Sequence, residues 1–108
     1  MQIQGPKAHA LMTDLVGDQV DINNMPFYGL ASVKVGGRDC IISQSGFSGE
    51  AGFEIYLYDS TKYADDMWNA VLDAGKKHNL MVIAPAHHRR IQAGILSWGQ
   101  DMLSLIHI

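Results

Sequence analysis

The side chains best placed for chemistry lie in one glycine-rich run. Ser45-Gly46-Phe47-Ser48-Gly49-Glu50-Ala51-Gly52 carries two hydroxyls, an aromatic ring and a carboxylate, and it feeds into Phe53-Glu54-Ile55-Tyr56-Leu57-Tyr58. Gly46-Phe47-Ser48-Gly49-Glu50 nearly spells a nucleophile elbow, but that turn needs a fifth-position glycine and Glu50 stands there. No G-x-G-x-x-G and no phosphate-binding loop occurs. Glycines 46, 49 and 52 call either for a backbone with positive φ or for something that approaches the bare chain. Glu54 alternates with apolar neighbours on a strand pattern. Its carboxylate can accept two parallel hydrogen bonds from an adjacent N–H and NH₂, as a pterin or a guanidinium would offer. By spacing alone a solvated strand face explains it better. Arg89 and Arg90 read in the same way as surface charges. His87-His88 invites a metal, but adjacent helical side chains diverge and the cysteine or carboxylate partners of a zinc site are missing. Cys40, the single cysteine, sits in an apolar strand and reads as an inert core thiol.

The surrounding pattern says how these groups are carried. Ala8, Leu11, Met12 and Leu15 fall on one helical face after Pro6, with Gly17 as a stop. Val20 and Ile22 suggest short-strand contacts. Ala31, Val33 and Val35 alternate with polar residues, Gly36-Gly37 signals a two-residue hairpin, and Cys40-Ile41-Ile42 returns. Phe53, Ile55 and Leu57 share one strand face and Glu54, Tyr56 and Tyr58 the other. Asp59 or Ser60 caps the next helix, whose stripe of Ala64, Met67, Trp68, Val71 and Leu72 faces the core and which Gly75 ends. Leu80 to Ile83 is a short apolar run, and Pro85 opens a last helix through Ile91, Ile95 and Trp98 to Gly99. The order β-α-β-β-β-α-(β)-α predicts an α+β fold, a mostly antiparallel sheet with two or three flanking helices.

Composition sets the limits. In 108 residues, 47% are hydrophobic and 18% charged, with a net charge of −3, which is the make-up of a globular domain and not of a disordered chain. No apolar run is long enough to span a membrane as a helix. The absence of a basic patch gives no electrostatic case for nucleic acid or for an anionic membrane. Leu103 to Ile108 reads as the translation of a sequencing-library adapter, so residues 1–102 are taken as the domain and 103–108 as a non-biological tail. On that reading the chain is a fragment of a longer protein.

Three segments, read together, resemble one family. Ile3-Gln4-Gly5-Pro6-Lys7-Ala8 is similar to its strand-to-helix entry. Ser45 to Ile55 resembles its G-Y-T-G-E-x-G-x-E-I signature, and Arg90 to Met102 its R-L-E-A-G-x-x-x-Y-G-x-D-M element. The family is the glycine-cleavage T-protein, or aminomethyltransferase, with its tetrahydrofolate-dependent demethylase relatives. The resemblance implies tetrahydrofolate as cofactor and one-carbon transfer to it from a small methyl or aminomethyl donor. In the T-protein proper that donor is carried on a lipoyl carrier protein. It implies a transferase of the cytoplasm, or of the mitochondrial matrix in a eukaryote, with the fragment alone inactive. Glu54 matches the glutamate that holds the pterin edge. Phe47 and Trp98 each stand where the family has tyrosine. The family's ligand-binding arginine falls on Ala86, a departure shared in character with the demethylase branch, and Arg90 is the nearby candidate for the cation. The family's catalytic aspartate lies upstream of this region, so no catalytic residue is assigned here. A non-enzymatic folate-binding relative of iron–sulfur assembly is the other reading, but its K-G-C-[YF]-x-G-Q-E motif is absent and Cys40 sits in D-C-I-I.

Overall fold

A computed structural model of the chain describes residues 1–101. The proposed tail, 103–108, lies outside them. Strands β1 (Gln2–Gln4), β2 (Leu30–Val35), β3 (Arg38–Ser43) and β4 (Gly52–Leu57) form one sheet in the order β1-β4-β3-β2, with every pairing antiparallel. Helices α1 (Ala8–Val16) and α2 (Ser60–Gly75) pack together and against the sheet, and a short α3 (His87–Gln92) follows. This is the expected α+β architecture. No helix among the described residues is long and apolar enough to cross a membrane.

Strand alternation builds the core. Ile3 pairs with Phe53, Val33 with Cys40, and Ile42 with both Ala31 and Ile55, so their side chains share the face under the helices. Leu11, Met12 and Val16 of α1 and Met67 and Val71 of α2 close this layer. Cys40 is buried against Met67, its Sγ 3.9 Å from the Met67 Sδ, and burial pushes its thiol pKa up. The thiol is core packing, as the sequence indicates. Among the described residues no helix packs over the other face of the sheet. That face carries Gln2, Glu54, Ser43 and Leu30 in one row across the strands, with Tyr56 and Ile41 in the next.

The Gly36-Gly37 hairpin has both residues at positive φ, 59° and 77°, as a type I′ turn requires. Gly36 has a second reason to be bare, because a Cβ there would stand 2.8 Å from the Ala70 Cβ of α2. The same corner is held by Arg38, which bonds Asp66 at 2.7 Å and lies over the Tyr63 ring at 4.0 Å.

Several local expectations are corrected. Ile22 is buried in a one-turn 3₁₀ helix, Ile22–Asn24, and not in a strand; Asp21 caps this turn by accepting the Asn23 N–H. Asp59 stands at positive φ (50°), its side chain makes no cap bond, and its carbonyl accepts the first amides of α2. The end of α2 is as expected: Gly75 is its last α-helical residue, and a 3₁₀ turn, Lys76–His78, follows directly. The chain turns at Asn79 (φ 58°), where the Leu80 N–H bonds the Gly75 carbonyl and the Asn79 N–H bonds the Lys76 carbonyl. Gly75 is bare because the Leu80 side chain folds back onto it. Trp68 is 42% exposed and does not belong to the core. Met81, Val82 and Ile83 form no strand and are exposed. Helix α3 stops short of Ile95 and Trp98, because Gly94 (φ 74°) closes it through paired bonds from Gly94 N–H to the Ile91 carbonyl and from Ile95 N–H to the Arg90 carbonyl.

The two hairpin glycines separate backbone strain from packing. Gly37→Ala should cost about 1–2 kcal/mol, from positive φ alone. Gly36→Ala adds overpacking against α2 and should cost about 2–4 kcal/mol. Urea denaturation of both variants measures this difference, and equal losses would mean that the hairpin tip does not touch α2.

Candidate functional site

The glycine-rich loop is built around the side chain of Gln4. Added Cβ atoms at Gly46 or Gly52 would collide with its amide, so the two glycines leave a notch that this amide fills. There its Oε1 accepts the Ser48 hydroxyl at 2.7 Å and its Nε2 reaches the Ser45 carbonyl at 3.5 Å. The object approaching the bare backbone is therefore a side chain of the same chain. Gly49 answers to both ordinary reasons, a positive φ of 79° and contact with Ala93 just after α3.

Glu54 lies beside this loop on the uncovered face. Its Oε1 accepts Gln2 Nε2 at 2.8 Å. Its Oε2 accepts the Tyr56 hydroxyl at 2.6 Å and the Ser45 hydroxyl at 2.8 Å. These bonds, the Tyr56 hydroxyl foremost and then Ser45 and Gln2, hold the carboxyl below the usual carboxylate range, against the opposing effect of partial burial. The same bond raises the Tyr56 phenol. The result is a preoriented anion on an open sheet face.

Arg90 is 4% exposed. Its guanidinium bonds Asp101 at 2.5 Å, the Ile95 carbonyl and Gln100 at 3.1 Å, and His87 Nδ1 at 3.0 Å. It also lies 5.8 Å from the centre of the Phe47 ring. Asp101 in turn caps the Ser97 N–H at 2.8 Å, which, with Arg90, lowers its pKa. Of the residues picked out by sequence, Phe47 and Arg90 stand within cation–π range of each other. Glu54 joins them through Ser45 and the loop. Trp98 is 72% exposed, and among the described residues no hydrogen bond or ring contact joins it to this group. Ala86 precedes α3 and lines an apolar cavity of about 440 Å³ with Gln4, Phe47, Trp68, Ile83 and Arg89. Among the described residues no cluster of metal-ligating side chains occurs, and His87 instead serves Arg90. Sequence reasoning passed over Gln2, Gln4 and Tyr56, and gave the Ser45 hydroxyl no partner. The alternation of Glu54 with Tyr56 put those two on one face, but nothing in the sequence signals the pairing of β1 with β4 that brings in Gln2 and Gln4.

The family model described as "GCVT N-terminal domain" matches residues 1–107. The chain belongs to that family. Among its relatives, the aminomethyltransferase of Thermoanaerobacter sp. (strain X514) is 31% identical over 105 residues, which covers 94% of this chain and 27% of that protein. The dimethylsulfoniopropionate demethylase DmdA of Ruegeria pomeroyi is 31% identical over 102 residues, with the same coverage. A probable aminomethyltransferase of Pyrococcus horikoshii is 32% identical over 117 residues, covering 95% of this chain and 29% of that protein. The chain thus spans just over a quarter of the length of these relatives. The T-protein resemblance read from the three segments, demethylase relatives included, is thereby established at the level of family.

Two outcomes test the geometry. Because the folded carboxyl of Glu54 titrates low, its contribution to stability is present above the unfolded carboxyl's pKa and is lost as pH falls through the folded one. Tyr56→Phe should move the Glu54 carboxyl resonance to titrate at higher pH, as followed by carbon-13 NMR, and should shrink that acid-side loss. Arg90→Ala should strip amide protection from Ile95, Ser97 and Asp101 in hydrogen exchange while Ile42 and Ile55 keep theirs. Arg90→Lys should fail to restore it, since an ammonium cannot reproduce the planar fork. Full protection in Arg90→Ala would remove the guanidinium as the fastener.

Proposed function

We propose that these residues form part of the folate site of a tetrahydrofolate-dependent methyl- or aminomethyltransferase. Glu54 carries the reading: an ionised, preoriented carboxylate on an open face beside an aromatic ring, in a chain of this family. The residues suit the flat, hydrogen-bonding head of such a cofactor. Glu54 accepts its adjacent N–H and NH₂, Phe47 lies against the ring, and Arg90 acts by holding Phe47 and the segment through Asp101. Trp98, exposed on that same segment, offers its ring to the cofactor from there. When bound, tetrahydrofolate supplies the nitrogen that accepts the one-carbon unit. The chain's own part is to orient that head and shield it, which contributes through proximity and not through proton transfer. The group that moves a proton, an aspartate in the family, belongs to the upstream region.

The likeness to both an aminomethyltransferase and a demethylase supports either donor. Ala86 in place of the family arginine favours a small methyl donor, the demethylase-like branch. The T-protein proper, acting on an aminomethyl-lipoyl carrier protein, is the second reading. In either case the working place is the cytoplasm or the mitochondrial matrix, and this segment alone is inactive.

Glu54→Gln replaces one acceptor by a misdirected donor. In the full-length protein it should weaken tetrahydrofolate binding about ten- to a hundredfold, the loss of a charge-assisted pair worth roughly 1.5–3 kcal/mol. A glutamate merely exposed on the surface would change binding by less than about twofold, in keeping with a stability effect within about 0.5 kcal/mol. Isothermal titration at matched circular dichroism decides the matter, and equal affinities would remove Glu54 from the site.

A further inference from the structure

Glu54 is nearly saturated before any ligand arrives. A carboxylate offers about four acceptor positions, two on each oxygen. Oε2 already takes two hydroxyls, Tyr56 and Ser45, and Oε1 takes Gln2 alone. A ligand edge with two adjacent N–H donors needs one open position on each oxygen. Oε1 has one and Oε2 has none, so one hydroxyl must leave. The two candidates differ in what leaving costs. Ser45 is 7% exposed, and its hydroxyl has Glu54 as its bonded partner. Releasing it would strand a buried donor. Tyr56 is 54% exposed and can give its hydroxyl to water by a small rotation.

We propose that Tyr56 is a displaceable placeholder, whose hydroxyl occupies the second position of Glu54 Oε2 until a ligand with two adjacent N–H donors takes it, while Ser45 stays and fixes the carboxylate in the complex. Tyr56 is thus a positioning residue that tunes ligand affinity. The inference rests on the folate-site reading given above. It predicts opposite signs for two hydroxyl deletions on the same oxygen. Tyr56→Phe removes the competitor and keeps the ring, whereas Ser45→Ala removes a bond that persists.

The test is calorimetric titration of tetrahydrofolate into the full-length protein at pH 7.5, under argon, for wild type and for Tyr56→Phe, Ser45→Ala and Glu54→Gln. Tyr56→Phe should bind about two- to fivefold tighter and Ser45→Ala about three- to tenfold weaker, in the range of the net effect of ordinary single hydrogen bonds. In wild type with carbon-13-labelled tyrosine, the Tyr56 Cζ resonance should move on saturation. Tighter binding in Tyr56→Phe with a moving resonance supports the proposal. Weaker or unchanged binding in Tyr56→Phe, or an unmoved resonance at saturation, overturns it. If Glu54→Gln weakens binding while Tyr56→Phe fails to tighten it, the placeholder is lost and the folate site stands. If Glu54→Gln binds as wild type does, the folate reading goes and takes the placeholder with it.

Discussion

The site depends on one side chain filling a space left by two missing ones. Gln4 lies in the notch between Gly46 and Gly52, where any Cβ would expel it. From there it fixes the loop at Ser45 and Ser48. Ser45 is thereby held where its hydroxyl meets Glu54. The β1–β4 register, Gln2 opposite Glu54 and Gln4 opposite Gly52, brings the second amide to the same carboxylate. The three-residue strand β1 thus does more than pair at the sheet edge. Its two outward amides shape the loop and orient the charge.

Arg90 solves the matching problem on the other side of the loop. Burying a guanidinium is costly unless its donors are satisfied and its charge is paired. Here a carboxylate, a carbonyl, a side-chain amide and an imidazole meet it, and Phe47 presents a ring face. Such an arrangement tolerates little substitution, because removing any partner leaves part of a buried cation unpaired. It ties α3 to the segment through Asp101 and, through Phe47 and the Gly49–Ala93 contact, ties α3 to the loop. The loop is therefore gripped from both sides, by Gln4 and by the Arg90 cluster, and Glu54 sits at the Gln4 side of that grip.

Glu54 itself shows how a carboxylate is kept charged at a place where a ligand can reach it. Donors from three directions stabilise the anion, and partial burial works against them without prevailing. Two of the donors are hydroxyls, which can turn toward other partners more easily than a backbone amide can. A carboxylate held this way is oriented by its own neighbours.

Periodicity alone determined most of the elements. The α1 stripe, the Gly36-Gly37 hairpin and the Phe53, Ile55, Leu57 face are local patterns, and each forms as read because its side chains repeat with the period of its own element. The fold class and the family were legible for the same reason, since both rest on ordered local segments. The apolar run at 81–83 and the end of α3 read wrongly because the path of the chain there was set by contacts outside the window: Leu80 folding onto Gly75, and the Arg90 cluster drawing the chain back at Gly94. The exposure of Trp68 was likewise not legible from the stripe it belongs to. Glu54 was visible as a residue, but its donors were not. Gln2, Gln4 and Ser45 reach it or its loop across the β1–β4 pairing and the folded loop, from as far as 52 residues away in sequence. Sequence carries the alternation that turns Glu54 away from the core. Only the tertiary structure decides which hydrogen-bond donors meet it there, because donors so distant in sequence converge by strand register, which no local pattern encodes.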